Sequence, residues 1–354
     1  MSTVIHVISH LSPYGGTTGK YYGWLKHSRF RHVFVLHEAN MQAEEVMHSF
    51  LCAGAQVVPI GSGGIISQSL EIKRLSTRYD KVVFMGHYFR GAVLASIVSL
   101  LRRESLIIPL HGSANLFPLS KRILYKMMLR LADKVIYNSQ FTARSFHHLG
   151  NNQIIYNGYF FDPVPKKPTF APKDSVRLLA IGGLIKVKQY DLIIRMMKFL
   201  PMRFSLTIVG DGPERGPLEK LVEGDGLSER VRFYGYVKDA YRELKNHDIF
   251  LHPAVDESFG IVVAEALFSC TPAIVTDRCA TYEVVNGEKY GWIADSADPE
   301  SWAKAVLNIV NNPEQAWAKA EEGRQWAIQM FSADKFSKAM DAVVEEVFVK
   351  PGAR

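Results

Sequence analysis

FFDPVPKKPTFAPKDS, residues 160–175, is rich in proline and shows no hydrophobic period, and VRLLAIG follows it at 176–182. That junction decides the fold. The first stretch reads as a linker, and the second as a short buried strand. Short β-branched runs alternate with longer helical patterns on both sides of it. Before the linker the strand candidates are VIHVIS (4–9), HVFVLH (32–37), QVVPI (56–60), KVVFM (81–85), LIIPL (106–110) and KVIYN (134–138). After it they are VRLLAIG, FSLTIV (204–209), RVRFYG (230–235), DIFLHP (248–253), PAIVT (272–276) and GWIA (291–294). Nearly continuous apolar runs fit parallel strands covered on both faces, and the segments between them are long enough for crossover helices. The expectation is an α/β chain of two Rossmann-like, doubly wound domains, 1–165 and 166–330. Ligands of such sheets bind at the carboxyl ends of the strands, so two facing sheets would offer two sets of binding loops to one central cleft.

Composition narrows the class. The chain has 354 residues, 47% of them hydrophobic and 22% charged, as in an ordinary globular protein. The net charge of +7 is unevenly spread: residues 1–165 hold 17 Lys/Arg against 8 Asp/Glu, and residues 166–354 hold 25 against 27. The basic first half points to an anionic partner, for which nucleic acid, acidic lipid or a pyrophosphate-linked acceptor all qualify. Cys52, Cys270 and Cys279 lie far apart without metal-ligand spacing and read as reduced cytosolic thiols. VIHVISHL at the start is short, lacks a basic lead and reads as a strand, not a signal peptide. The longest uncharged apolar run outside the motifs, Ala92 to Leu101, is about half a membrane span, so no bilayer crossing is expected.

The segment that speaks most of chemistry is ESFGIVVAE, Glu257 to Glu265, between the strand DIFLHP and a helical pattern. The bare spacing of its glutamates is also what two solvated helix residues would give. Here they flank Ser258-Phe259-Gly260, a turn into a helix in which glycine lets the backbone approach a ligand. The helix start offers free N–H groups and a positive dipole end to a diphosphate. Glu265, further along the helix, suits the two vicinal hydroxyls of a ribose, and Glu257 suits sugar hydroxyls.

ESFGIVVAE resembles the paired-glutamate motif of the large family-four retaining glycosyltransferases. Its neighbours resemble that family's landmarks in order: AIGGLIKVKQYDLII (180–194) the phosphate-binding segment, IVGDGPERGPLEKL (208–221) the next strand and turn, and VRFYGYV (231–237) the strand near the nucleobase. Upstream, SPYGGTTGK (12–20) is similar to the glycine-rich first loop, and VIYNSQFTAR (135–144) and IIYNGY (154–159) fall where the family has similar runs. The resemblance implies a GT-B fold, with a nucleotide-sugar donor domain at 166–330 and an acceptor domain at 1–165. A final amphipathic helix, about 331–350, would pack back on the acceptor domain. It also implies roles. Lys188 contacts the donor diphosphate, and Glu257 lies near the donor sugar. The backbone of Phe259, Gly260 and Ile261 meets sugar and phosphate, and Glu265 holds the ribose. Gly15 and Gly16 approach phosphate or acceptor, and His111 lies near the reacting sugar. The family's Gly-Arg-Leu is Gly182-Gly183-Leu184 here, so an arginine on the diphosphate is replaced by Gly183. Lys186, three residues on, is the charge that stands in for it, without the bidentate fork.

Other signals carry less. GGTTGK follows a first strand, but Tyr14 and Tyr21 occupy positions where a phosphate-cradling loop needs glycine and Ser/Thr. Asp211-Gly212-Pro213 reads as a turn. No acidic pair suits a metal-bound diphosphate, so no metal is expected. Apart from His111, the first-half histidines read as surface or packed residues, without zinc spacing. LSKRILYKMMLRLADK (119–134) reads as an amphipathic helix with Lys121, Arg122, Lys126 and Arg130 on one face and Ile123, Leu124, Met127, Met128 and Leu131 on an apolar side. Such a face is either solvated surface over a core helix or a contact for anionic lipid.

Taken with the resemblance, the expected function is retaining transfer of a hexose-type sugar from a UDP- or GDP-sugar to a hydroxyl acceptor in bacterial polysaccharide or lipopolysaccharide assembly. His111, Lys188 and Glu257 stand at the chemistry, and no cofactor is used. The expected partners are the nucleotide-sugar, a glycan or lipid-linked glycan and an anionic membrane surface, not nucleic acid. The expected location is cytoplasmic, peripheral at the inner face of the membrane. A GT-B epimerase and a catalytically silent nucleotide-sugar binding protein are the other readings left open.

Overall fold

The structure, a computed structural model, describes residues 2–9, 11, 16–37, 44–160 and 175–349. Gly15 and most of the proline-rich stretch read as a linker, 161–174, lie outside the described residues. The chain divides into two compact units, one of Met1–Phe160 with Phe331–Arg354 and one of Phe161–Met330.

The first unit holds strands β1 (Thr3–Ile8), β2 (Arg31–Leu36), β3 (Gln56–Pro59), β4 (Val82–Gly86), β5 (Ser105–Leu110), β6 (Lys134–Tyr137) and β7 (Asn152–Ile154). Its helices before the second unit are α1 (Gly16–Leu25), α2 (Glu44–Cys52), α3 (Ile65–Ser76), α4 (Tyr88–Arg102), α5 (Leu119–Leu131) and α6 (Gln140–Ser145). The second unit holds β8 (Val176–Ile181), β9 (Phe204–Val209), β10 (Val231–Gly235), β11 (Ile249–His252), β12 (Ala273–Val275) and β13 (Trp292–Ile293). Its helices are α7 (Tyr190–Met196), α8 (Arg215–Gly224), α9 (Ile261–Phe268), α10 (Thr281–Val284), α11 (Pro299–Asn311) and α12 (Pro313–Met330), after which α13 (Ala333–Val349) returns to the first unit.

Both sheets are parallel, in the orders β3-β2-β1-β4-β5-β6-β7 and β10-β9-β8-β11-β12-β13. Central strands β1, β4 and β11 are buried along their whole length, while the edge strand β3 is not, as a sheet sandwiched between helices requires. In the first unit alternate residues serve two layers. Ile5, Val7, Val33 and Val35 pack with Leu94, Val98, Met128 and Leu129 of α4 and α5. Val4, Ile8 and Phe34 pack on the other face with Tyr21 and Trp24 of α1 and Phe336, Met340, Val343, Val344 and Val347 of α13. The spacing of those α13 residues is one helical stripe, and Trp24 Nε1 donates to Asp341 Oδ1 on the same helix at 2.7 Å.

Helix α5 departs from its reading. It ends at Leu131, because Lys134 starts β6 and pairs with Glu346 of α13 at 2.8 Å. Its buried face is Tyr125, Met128 and Leu129, so of the apolar side read from the sequence only Met128 belongs to the core. Leu119, Ile123, Met127 and Leu131 are 71%, 54%, 56% and 43% exposed, with Leu124 beside them.

Candidate functional site

In the second sheet the chain leaves β8 toward β9 on one side and β11 toward β12 on the other. At such a switch of direction the loops beyond the carboxyl ends diverge and open a crevice. Two segments singled out in the sequence follow those strands: Gly182 to Gln189 after β8 and Pro253 to Gly260 after β11. Val255 N donates to Val187 O at 3.0 Å and ties the loops together. Gly182 and the next turn's Gly210 have φ of +149° and +143°. A Cβ at Gly210 would lie 2.0 Å from the Gly182 carbonyl oxygen, so the two turns touch backbone to backbone. Gly260 opens α9 at φ +81°, where a Cβ would lie 2.5 Å from Thr281 Cγ2. No side chain caps α9, and the first amides of a helix have no intrahelical acceptor.

Lys188 and Glu257 form an ion pair across the two loops, with side chains 14% and 21% exposed. Glu257 Oε1 also accepts from Ser258 N at 3.1 Å, and His252 Nε2 lies 3.8 Å from Oε2. Burial pushes the Glu257 carboxyl up, but the Lys188 ammonium, His252 and the Phe259 amide outweigh it and hold it below the usual carboxylate range. His252, at the end of β11, is pushed down to about 3 by burial and by Lys188, so it is neutral at pH 7. Phe259 is buried, and Ile261 begins α9. Glu265, further along α9, is buried, and burial with the Asp239 carboxylate raises it to about 8. Lys186 is exposed and helps wall a pocket of about 410 Å³ with Asp191 and Glu214, on the side of α7 and α8. The ion pair with Glu257 is made by Lys188, not Lys186. Gly183 is exposed, and a Cβ there would meet nothing nearer than the Asp211 carbonyl at 4.0 Å. An arginine side chain at this position clashes with nothing at its root.

In the first unit the corresponding switch lies between β1 and β4. The loop after β1 lies largely outside the described residues, and Gly16 opens α1. His111 follows β5, and its Nδ1 is 3.1 Å from Lys20 Nζ of α1; Lys20 also donates to Asn157 Oδ1 at 2.7 Å. Burial lowers Lys20 to about 7. Burial, with Lys20 and His87, holds His111 well below its ordinary value, so the ring is neutral. Sequence reasoning missed Lys20, Asn157 and His252. Lys20 ends SPYGGTTGK and Asn157 sits in IIYNGY, but 137 residues separate them, and no spacing rule joins them.

Residues 163–326 match the family described as glycosyl transferases, group 1. Two lipopolysaccharide core biosynthesis glycosyltransferases of Rhizobium meliloti (strain 1021) are similar to the chain. LpsE is 28% identical over 51% of this chain and 52% of its own length. LpsD is 30% identical over 43% and 44%. The chain thus matches about half the length of these relatives. Among solved structures, Anabaena Alr3699/HepE, crystallised with UDP and with UDP-glucose, superposes with a TM-score of 0.86 for the UDP complex at 18% identity, over 98% of this chain and 100% of that one. Two parallel sheets in these orders, with that likeness, make the fold GT-B. The match to the glycosyl transferases group 1 family, residues 163–326, takes in nearly the whole of the second unit, with Lys188, Glu257 and Glu265 inside it.

Proposed function

We propose that the chain is a retaining, metal-independent glycosyltransferase that moves a hexose-type sugar from a UDP- or GDP-sugar to a hydroxyl acceptor. In this reading the second unit binds the donor and the first the acceptor. The observation that carries it is the Lys188–Glu257 pair at the switch point of the second sheet, beside glycine turns and the uncapped start of α9. A diphosphate arriving there competes with Glu257 for the Lys188 ammonium. Once released, the Glu257 carboxylate accepts from sugar hydroxyls, while the Phe259, Gly260 and Ile261 backbone meets phosphate and sugar. Glu265 takes the ribose hydroxyls. The anomeric C–O bond to the diphosphate breaks, and the bond to the acceptor oxygen forms on the same face. The acceptor proton passes to the departing diphosphate oxygen, so the protein positions the reactants and stabilises charge.

The test is a panel of nucleotide-sugars scored by protection against thermal unfolding, followed by the anomeric configuration of the product. One UDP- or GDP-hexose is expected to raise Tm above the others and to give a product of unchanged configuration. An inverted product, or no protection by any donor, overturns the reading. Gly183→Arg is expected to keep the fold and to tighten the donor about tenfold, through one charge-assisted hydrogen bond of about 1.5 kcal/mol. Loss of donor binding in that variant would remove the β8–α7 loop from the diphosphate site.

The acceptor reading is a glycan or lipid-linked glycan of bacterial envelope assembly, handled at the inner face of the cytoplasmic membrane. The exposed stripe of Leu119, Ile123, Met127 and Leu131 on α5 supports it, flanked by Lys121, Arg122, Lys126 and Arg130. Apolar side chains among basic ones are what an interfacial helix presents to anionic lipid, each basic residue adding about 1 kcal/mol. Among the described residues no helix is long and apolar enough to cross a membrane. Salt-sensitive binding to anionic vesicles is expected. Replacing the four basic residues with glutamine should release the protein and leave donor hydrolysis intact. Absence of vesicle binding by the unaltered chain at low salt would return the acceptor to solution.

A further inference from the structure

Four histidines from separate parts of the first half form one hydrogen-bonded line through the first unit. His6 lies on β1 and His32 on β2, and His87 and His111 directly follow β4 and β5. His32 Nδ1 is 2.9 Å from His6 Nε2, His6 Nδ1 is 2.9 Å from His87 Nε2, and His87 Nδ1 is 3.4 Å from His111 Nε2. The line continues at both ends. His32 Nε2 is 2.8 Å from Ser28 Oγ, which donates to Asp341 Oδ1 of α13 at 3.0 Å. At the far end Lys20 Nζ meets His111 Nδ1 at 3.1 Å. His6, His32 and His87 are buried, beneath Tyr21 and Trp24 of α1. Burial comes first among the causes that hold all four rings below the ordinary histidine range, so each is neutral and carries one N–H and one acceptor nitrogen. The described residues hold no group of three side chains arranged as metal ligands.

The direction of this line follows from its Asp341 end. Trp24 Nε1 and Arg29 N, which only donate, reach Oδ1 and Oδ2 of Asp341 at 2.7 and 3.4 Å. Both carboxylate oxygens are therefore acceptors, and the single Ser28 hydroxyl proton points at Oδ1. Ser28 Oγ must then accept from His32, which makes His32 the Nε2–H tautomer with Nδ1 as acceptor. His6 must donate from Nε2 to that nitrogen, His87 from Nε2 to His6, and His111 from Nε2 to His87. His111 Nδ1 is left as an acceptor, and it faces Lys20, whose ammonium form only donates. The two ends thus agree in polarity.

We propose that Asp341 is a positioning residue that acts through Ser28, His32, His6 and His87 to fix His111 as the Nε2–H tautomer, with Nδ1 reserved for Lys20. His111 then has both ring nitrogens engaged within its own unit, and Lys20 is the polar end of the line that is left to meet a substrate. The Lys20–His111 pair is held in one hydrogen-bonding state by a carboxylate on α13, far along the chain. This adds a role for Lys20 to the transfer reading, but the line and its polarity stand without it.

The tautomers are read directly by two-bond proton–nitrogen correlation on the full chain labelled at its histidine nitrogens, with His→Gln variants for assignment. In the unaltered protein at pH 7 all four rings are expected to show the Nε2–H pattern. In Asp341→Leu the Ser28 hydroxyl is free to turn toward His32, and Nδ1–H populations are expected to appear along the line as far as His111. Ser28→Ala cuts the line without touching α13 and is expected to do the same, while Ser28→Thr keeps the single pattern. An Nδ1–H ring among the four in the unaltered protein overturns the proposal. So does a His111 pattern that stays unchanged in both Asp341→Leu and Ser28→Ala, since Lys20 alone would then set it. No sugar donor enters the measurement, so its failure is separate from failure of the transfer reading.

Discussion

Glu265→Gln is expected to stabilise the empty protein at pH 7 by about 3 kcal/mol and at the same time to weaken nucleotide binding. The carboxyl is raised from 4.5 to about 8 by burial and by Asp239. For an acid raised on folding, the native state holds its proton where the unfolded chain has lost it. Native stability therefore falls as pH climbs from about 4.5 toward 8, and the penalty is absent below 4.5. At pH 7 the difference spans about 2.5 pH units, or ~3 kcal/mol. Glutamine has the same shape and no charge to desolvate. Urea unfolding at pH 5 and pH 7 checks this: the unaltered protein should lose stability between the two values, and the variant should hold its own. In the transfer reading the same substitution takes a carboxyl away from the ribose hydroxyls, a loss of about 0.5–1.5 kcal/mol in nucleotide affinity, the range for a neutral hydrogen bond. Equal stability of both proteins at both pH values would mean that water reaches Glu265 and that its carboxylate is present without cost.

Lys188→Met is expected to lower turnover about 10²- to 10³-fold, the usual effect of removing one preorganised group from the charge that grows on a leaving oxygen. It should also destabilise the fold by about 3 kcal/mol. That is the low end for breaking a buried pair, because both side chains keep some contact with water. The double substitution Lys188→Met with Glu257→Gln separates the two effects. Stability should largely return, since no unpaired carboxylate remains buried, while turnover stays low. If the double variant recovered turnover with stability, Lys188 would act only as the partner of Glu257 and not on the diphosphate. Steady-state rates with a saturating donor and equilibrium unfolding are the two measurements.

Much of this arrangement was readable in the sequence because parallel sheets leave a strong local record. A strand covered on both faces has to be largely apolar, so β1, β4, β8 and β11 stand out as runs, and the stretches between them mark crossovers. The turn at Gly260 and the pair Lys188–Glu257 were approachable because motif order placed them on loops of neighbouring strands. What escaped depends on contacts between distant positions. His6, His32, His87 and His111 share no spacing, and only the strand order β2-β1-β4-β5 sets them side by side. Asn157 and Lys20 likewise meet only across 137 residues of chain. Helix α5 shows a different limit. Its period gives an apolar face, but which part of that face the sheet covers depends on how Tyr125, Met128 and Leu129 seat, and Ile123 and Met127 fell outside. Lys186 and Lys188 are both charged and two residues apart, and only the tight turn over Lys186–Lys188 assigns one to the pocket wall and the other to Glu257.

Helix α13 belongs to the first unit but follows the second in the chain. As a ribosome delivers the polypeptide, the layer that α13 shares with α1 must wait, with Trp24 and Met85 uncovered on that side, while about 170 further residues are made. Unit 2 is contiguous and meets no such delay. The nascent chain thus carries a finished domain alongside a half-roofed one, and the half-roofed one is the part a holding chaperone would recognise until residues 333–349 arrive to close it.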